Sequence, residues 1–189
     1  MLNLAAFERD AERFNGAINR EHYLHGAGLK PTLDSTPIYD SFAHLFQVDT
    51  YQELRELDEP NLEDKRRRFL LDFVAGGVLE HQVKHLTERI AAVQSASVIE
   101  WEGEPIPFRT MPVRWANEAD PERRRELWKR WLAETGRHNR AYIDREEASR
   151  DLARELDFPD YVAMWDTLRG LDLSNLSARL EKFLADTAN

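Results

Sequence analysis

His81 and His85 stand four residues apart in His81-Gln82-Val83-Lys84-His85, a spacing that sets two imidazoles on one face of a helix within reach of one metal ion. A zinc peptidase helix of this type carries glutamate directly after the first histidine, because a carboxylate must take the proton from the zinc-bound water. Here that position is Gln82, a neutral amide that cannot accept it, and Glu80 lies on the wrong side of His81. Both histidines also continue the apolar stripe of Val74 and Val78, so the reading preferred for them is hydrogen-bonded histidines of a core or groove. A helical enzyme binding metal through His81, His85 and carboxylates of neighbouring helices is the alternative of a different class.

His22 and His25 lie at i,i+3 near the end of a first helix, where a positive imidazole suits the helix dipole. No further ligands accompany them, and His44 and His138 are isolated. No Gly-x-Ser-x-Gly elbow, P-loop or dinucleotide fingerprint is present. With no cysteine in the chain, a thiol nucleophile, a thiolate metal site and a disulfide framework are all excluded. Among the five tryptophans, Trp128 and Trp131 fall on the apolar stripe of a long helix and are expected in the core. Trp101 and Trp115 flank a hairpin and are the candidates for a ligand-facing surface.

The elements that position these residues read as almost entirely helical. Leu4, Phe7, Ala11, Phe14 and Ile18 define a helix over about 3–25, closed by Gly26-Ala27-Gly28. Two prolines make 30–37 a loop, with short helices expected at 39–47 and 50–57. Pro60-Asn61 opens a long helix to about 94, with Gly76-Gly77 in its middle. Glycine there costs about 1 kcal/mol per residue relative to alanine, so a closely packed crossing helix is expected against it. Residues 97–114, centred on Gly103, predict one small β-hairpin whose prolines confine the second arm to an edge. Asp120 caps and Pro121 starts a helix over 121–156. A short helix over 161–168 stops at Gly170, and a last one, capped by Ser174 and Asn175, carries Leu176, Leu180, Phe183 and Leu184. No internal repeat or linker divides residues 1–189, so the expectation is a single, mainly α unit of long antiparallel helices.

A net charge of −9 leaves no surplus of cations for nucleic-acid phosphates. The runs Lys65-Arg66-Arg67-Arg68 and Arg123-Arg124-Arg125 are flanked by acids and read as solvated helix faces. The first residues meet charge too early for a signal peptide, and no run approaches the roughly 20 apolar residues of a membrane span. A cytoplasmic protein with neither nucleic-acid nor membrane partners is expected.

The segment Glu118-Ala119-Asp120-Pro121-Glu122-Arg123-Arg124-Arg125-Glu126-Leu127-Trp128, then Asn139, Arg145 and Arg150, then Ala153-Arg154-Glu155-Leu156-Asp157-Phe158-Pro159-Asp160-Tyr161, resembles a stretch of the helical zinc metallopeptidases of the oligoendopeptidase F and thimet oligopeptidase group. Leu171-Asp172-Leu173, Leu176 and Phe183 fit the next helix of that pattern, and the likeness extends over about 60–189. Position 157 is Asp where the family often has glycine. The resemblance implies a helical wall of a peptide-binding cleft whose zinc and His-Glu-x-x-His belong to a catalytic half that this sequence does not contain. It implies no catalytic residue and no cofactor here. The expected partners are that half or a second copy, with a peptide as ligand, and an exposed apolar face where the missing half would pack. A helical binding or scaffold protein derived from the same family is the alternative.

Overall fold

The computed structural model describes residues 2–60 and 62–188, so Asn61, expected to open the second long helix, lies outside the described residues. Helices α1 (Leu4–Gly26), α2 (Thr36–Ser41), α3 (Val48–Glu56) and α4 (Asp64–Ala96) lead to a hairpin of β1 (Val98–Trp101) and β2 (Glu104–Pro107). Then come α5 (Met111–Ala116), α6 (Pro121–Glu155), α7 (Tyr161–Arg169) and α8 (Leu173–Thr187). The fold is mainly α with one small antiparallel hairpin. The hairpin's second arm is shorter than its composition predicts. It ends at Pro107, and a single helical turn over Phe108–Thr110 passes into α5, which carries Pro112 in its first turn.

The chain packs as two compact units, each gathered from separated segments. Unit 1 comprises Met1–Ala11, Phe42–His81 and Ala148–Asn189. Its core holds Leu45, Phe46, Leu54, Val74, Leu152, Leu156 and Met164, all at most 2% exposed. The central glycines of α4 belong here. Gly77 faces the ring of Phe46, with which any Cβ would overlap, whereas a Cβ on Gly76 would sit 3.7 Å from Trp165 Cη2, an ordinary contact. What crosses Gly77 is therefore an aromatic ring after the short turn Ala43–Leu45, where a crossing helix was expected.

The first basic run is more than a solvated face. Arg67 Nη1 donates to the carbonyls of Leu54 (3.2 Å) and Leu57 (2.7 Å), serving the otherwise unbonded C-terminal end of α3. Arg66 Nε donates to Glu8 at 3.0 Å.

Helix α6 closes in a Schellman motif: Phe158 N–H reaches Ala153 O at 2.9 Å and Asp157 N–H reaches Arg154 O at 3.2 Å. Asp157 is consequently left-handed, with φ of 65°, the conformation in which glycine is strain-free. Its carboxylate accepts from Gln52 Nε2 at 3.0 Å and lies 3.4 Å from Arg55 Nη1. Asp157→Gly removes a left-handed penalty of about 1 kcal/mol and an exposed ion pair worth at most about that much. Its stability in urea is expected within about 1 kcal/mol of the parent, while Asp157→Val, β-branched at positive φ, is expected to lose more than that.

Gly170 ends α7 by the same device at φ of 60°. The cap of α8 is Asp172, whose Oδ1 accepts from Asn175 N–H at 3.2 Å. Ser174 and Asn175, expected as caps, lie inside the helix. No residue of α8 is buried, and Leu176, Leu180, Phe183 and Leu184 are 48%, 53%, 61% and 65% exposed.

Unit 2 comprises Glu12–Ser41 and Gln82–Glu147. The loop after α1 is tied down by Glu21, which is buried and accepts from Lys30 Nζ at 2.7 and 2.8 Å and from Asp34 N–H at 2.7 Å. Glu88 of α4 accepts from Ser35 Oγ at 3.1 Å and Thr36 N–H at 2.6 Å, so a side chain distant in sequence caps α2. Among the described residues no helix is long and apolar enough to cross a membrane.

Candidate functional site

A cluster of aromatic side chains lies in unit 2, where the hairpin meets α5 and α6. β1 pairs with β2 so that Ile99 faces Ile106 and Trp101 faces Glu104. The turn residues Glu102 and Gly103 both take positive φ, 54° and 87°, as the tight hairpin turn that matches strand twist requires. Period-two alternation sends Ile99 and Trp101 inward, where they join Phe108, Met111 and Leu127 in one buried cluster.

Trp101 is thus 6% exposed, with Arg123 and Arg130 each 5.3 Å from its ring, and presents no open face to a ligand. Trp115 is half-buried and meets Trp128 and Trp131 edge-on at 4.8 and 5.0 Å. Trp131 stacks on Phe108, 5.9 Å between centroids and 11° between planes. Trp128, expected in the core with Trp131, is 42% exposed.

Arg123 holds the hairpin turn to the start of α6. It donates to both Glu102 oxygens and, at 3.1 Å, to Glu118 Oε2. Asp120 Oδ1 caps α6 by accepting from Glu122 and Arg123 N–H at 2.8 and 3.0 Å. Three carboxyls are held below their ordinary values: Glu102 by Arg123, Glu118 by the Asp120 amide and then Arg123, and Asp120 by the Arg123 and Glu122 amides. Since folding lowers these values, their contribution is complete above the ordinary carboxyl range and is lost as pH falls through the folded ones. The near-UV circular dichroism of the tryptophan cluster is therefore expected to weaken on acidification below about pH 4. Replacing Arg123 by leucine is expected to move that transition to higher pH.

A serine, a histidine and a glutamate also come together. His138, buried in α6, lies with Nε2 3.0 Å from Ser97 Oγ and 3.5 Å from Glu134 Oε1. A hydrolytic relay needs the carboxylate on the other ring nitrogen and a serine whose proton is available to the histidine. Here both partners share Nε2, Ser97 donates its proton to Val93 O at 2.9 Å, and Nδ1 has no partner among the described residues. The trio therefore ties the end of α4 to α6 and does not activate an alcohol. Ser97 and His138 are 41 positions apart, and no sequence motif marks them.

The remaining histidines are dispersed. His81 is half-buried in unit 1 and His85 is exposed in unit 2, so of the core or groove expected for the pair, His85 does not lie in a core. His25 is buried, with Nδ1 3.3 Å from Lys30 O and Nε2 accepting from Arg109. His44 is exposed and reaches Asp10 at 3.1 Å. Among the described residues no three His, Asp or Glu side chains are grouped so as to hold a metal ion.

An apolar cleft lies beside this cluster, between the outer edge of β2 and α5, with a volume of about 470 Å³. Ile106, Pro107 and Val113 form its apolar surface, and Arg114 and Asn117 supply polar groups. Compared with protein families, curated proteins and solved structures, the chain matches none.

Proposed function

We propose that this chain is the non-catalytic helical portion of a zinc-dependent oligopeptidase, forming one wall of a peptide-binding cleft and relying on a separate His-Glu-x-x-His segment or chain for hydrolysis. The observation that carries the reading is α8. Its side chains Leu176, Leu180, Phe183 and Leu184 make an uncovered apolar stripe on a helix with no buried residue, as expected of a surface that another polypeptide covers. The family resemblance supplies the nature of that polypeptide. The left-handed Asp157 adds support, because a family glycine at that position is what such backbone favours.

Zinc belongs to the other half in this reading, and Gln82 leaves this chain without the base such a metal needs. The test is reconstitution with a His-Glu-x-x-His polypeptide encoded beside this one. The expected result is a stable complex that hydrolyses peptides when neither component does so alone, with Leu180→Glu abolishing both complex and activity. Hydrolysis by the isolated chain, or a mixture that neither associates nor cleaves, overturns the reading. A complex that binds peptides without cleaving them identifies the scaffold alternative.

A further inference from the structure

We infer that the cleft between β2 and α5 is a recognition site for the C-terminal residue of a peptide, specific for an apolar side chain beside a free α-carboxylate. The edge of β2 sets the first requirement. Phe108 N–H bonds to Ser97 O at 3.0 Å, and in an antiparallel pair bonded and non-bonded positions alternate, so Pro105 and Pro107 direct their backbone groups away from β1. A proline has a carbonyl and no N–H, so the outward edge offers acceptors only. Thr110 Oγ1 already donates to Pro107 O at 2.8 Å, which leaves the Pro105 carbonyl to receive one N–H from a ligand. An added strand would need donors as well as acceptors at alternate residues, so the edge suits a single residue and not an extended segment.

The facing wall sets the other two requirements. Val113 is 65% exposed and, with Ile106, gives an apolar contact surface. Arg114 lines the same cleft and makes no hydrogen bond or ion pair among the described residues. It acts at longer range on Glu102, whose carboxyl it helps to hold down. In a chain of net charge −9, a guanidinium whose hydrogen-bond donors are unused beside an apolar cleft is a ready carboxylate receptor. Glu104, at the start of β2, also borders the cleft and repels any carboxylate there that Arg114 does not hold, so a single acid, the α-carboxylate on Arg114, is accepted and an acidic side chain is not. An N-acylated apolar amino acid matches all three features with its N–H, side chain and carboxylate.

This site lies wholly within unit 2 and needs no catalytic partner, so it stands or falls apart from the two-part peptidase reading. The experiment titrates N-acetyl-L-leucine into the isotope-labelled full chain while the amide resonances of Thr110, Val113, Arg114 and Asn117 are followed. Saturable shifts there are expected with Kd on the order of 1 mM. N-acetyl-L-leucinamide, which lacks the carboxylate, and N-acetylglycine, which lacks the side chain, are each expected to bind roughly tenfold more weakly. Arg114→Gln, at an exposed position, should bring N-acetyl-L-leucine down to the level of the amide while leaving the hairpin resonances in place. Equal binding of acid and amide, unchanged binding by Arg114→Gln, or no saturable shift at these amides overturns the inference.

Discussion

Gly77→Ala is expected to lower the unfolding free energy by about 3 kcal/mol, whereas Gly76→Ala, one residue away on the same helix, is expected to leave it unchanged or raise it by up to about 1 kcal/mol. Both exchanges improve helix propensity equally, so the difference isolates packing. A methyl at Gly77 collides with the Phe46 ring, which is 2% exposed and held 5.5 Å from the Phe73 ring, so it has no room to retreat. At Gly76 the methyl meets Trp165 Cη2 at 3.7 Å. Urea midpoints of the two variants decide the matter, and equal losses would show that Phe46 does not fill the notch. A double change, Gly77→Ala with Phe46→Leu, is expected to recover part of the loss, because the smaller side chain yields space.

Glu21→Ala is the second substitution with a large expected cost, about 3 kcal/mol. The buried carboxylate is the acceptor for the Asp34 amide and the nearer anchor of Lys30, so alanine strands that amide and leaves Lys30 with Asp34 alone, at 2.8 Å. Burial alone would raise the Glu21 carboxyl, but the Lys30 ammonium and the Asp34 amide outweigh it and hold the group below its ordinary value. The same contacts raise Lys30, through Asp34 first and Glu21 second. The Glu21 contribution is therefore complete above the ordinary carboxyl value and disappears as pH falls through the lower folded one. The Lys30 contribution disappears at the opposite extreme, as pH rises through its raised value. Chemical denaturation of parent and Glu21→Ala across acid pH should show the two converging as the solution becomes more acidic. A constant gap would mean that the loop after α1 is held by apolar packing of Leu33 instead.

The long helices were legible because apolar residues recur at helical steps over many turns, as Leu4, Phe7, Ala11, Phe14 and Ile18 do in α1. Caps were legible where chemistry was local: Asp120 accepts two amides as its type predicts. At α8 the nearer acceptor Asp172 takes the role that Ser174 and Asn175 seemed to offer. The shortened second arm of the hairpin has a trace in the sequence. Phe108, Met111 and Trp115 follow a helical spacing, and Pro112 suits a first turn, but β-branched neighbours and prolines suggested extended chain. Alternation along Val98–Trp101 already puts Ile99 and Trp101 on one face, so the burial of Trp101 was also readable.

Other features had no local signature. Ser97 and His138 meet only because α4 and α6 are brought together, and the β2–α5 cleft depends on which strand edge is left free. His85 follows Val78 by seven residues, yet the buried side of α4 passes by then to Val83 and Ala91, and periodicity alone does not reveal such a drift.

The dispersal of unit 1 along the sequence bears on how the chain is made. All of unit 2 has been synthesised once Glu147 leaves the ribosome, whereas unit 1 still lacks Leu152, Leu156, Met164 and Leu168 of its core. Vectorial synthesis therefore lets the hairpin cluster condense while the first residues of α1 and the early turns of α4 wait for a partner segment more than 60 positions downstream of His81. Closing that span makes unit 1 the slower to form, since the entropy of a long loop must be overcome before its contacts repay it.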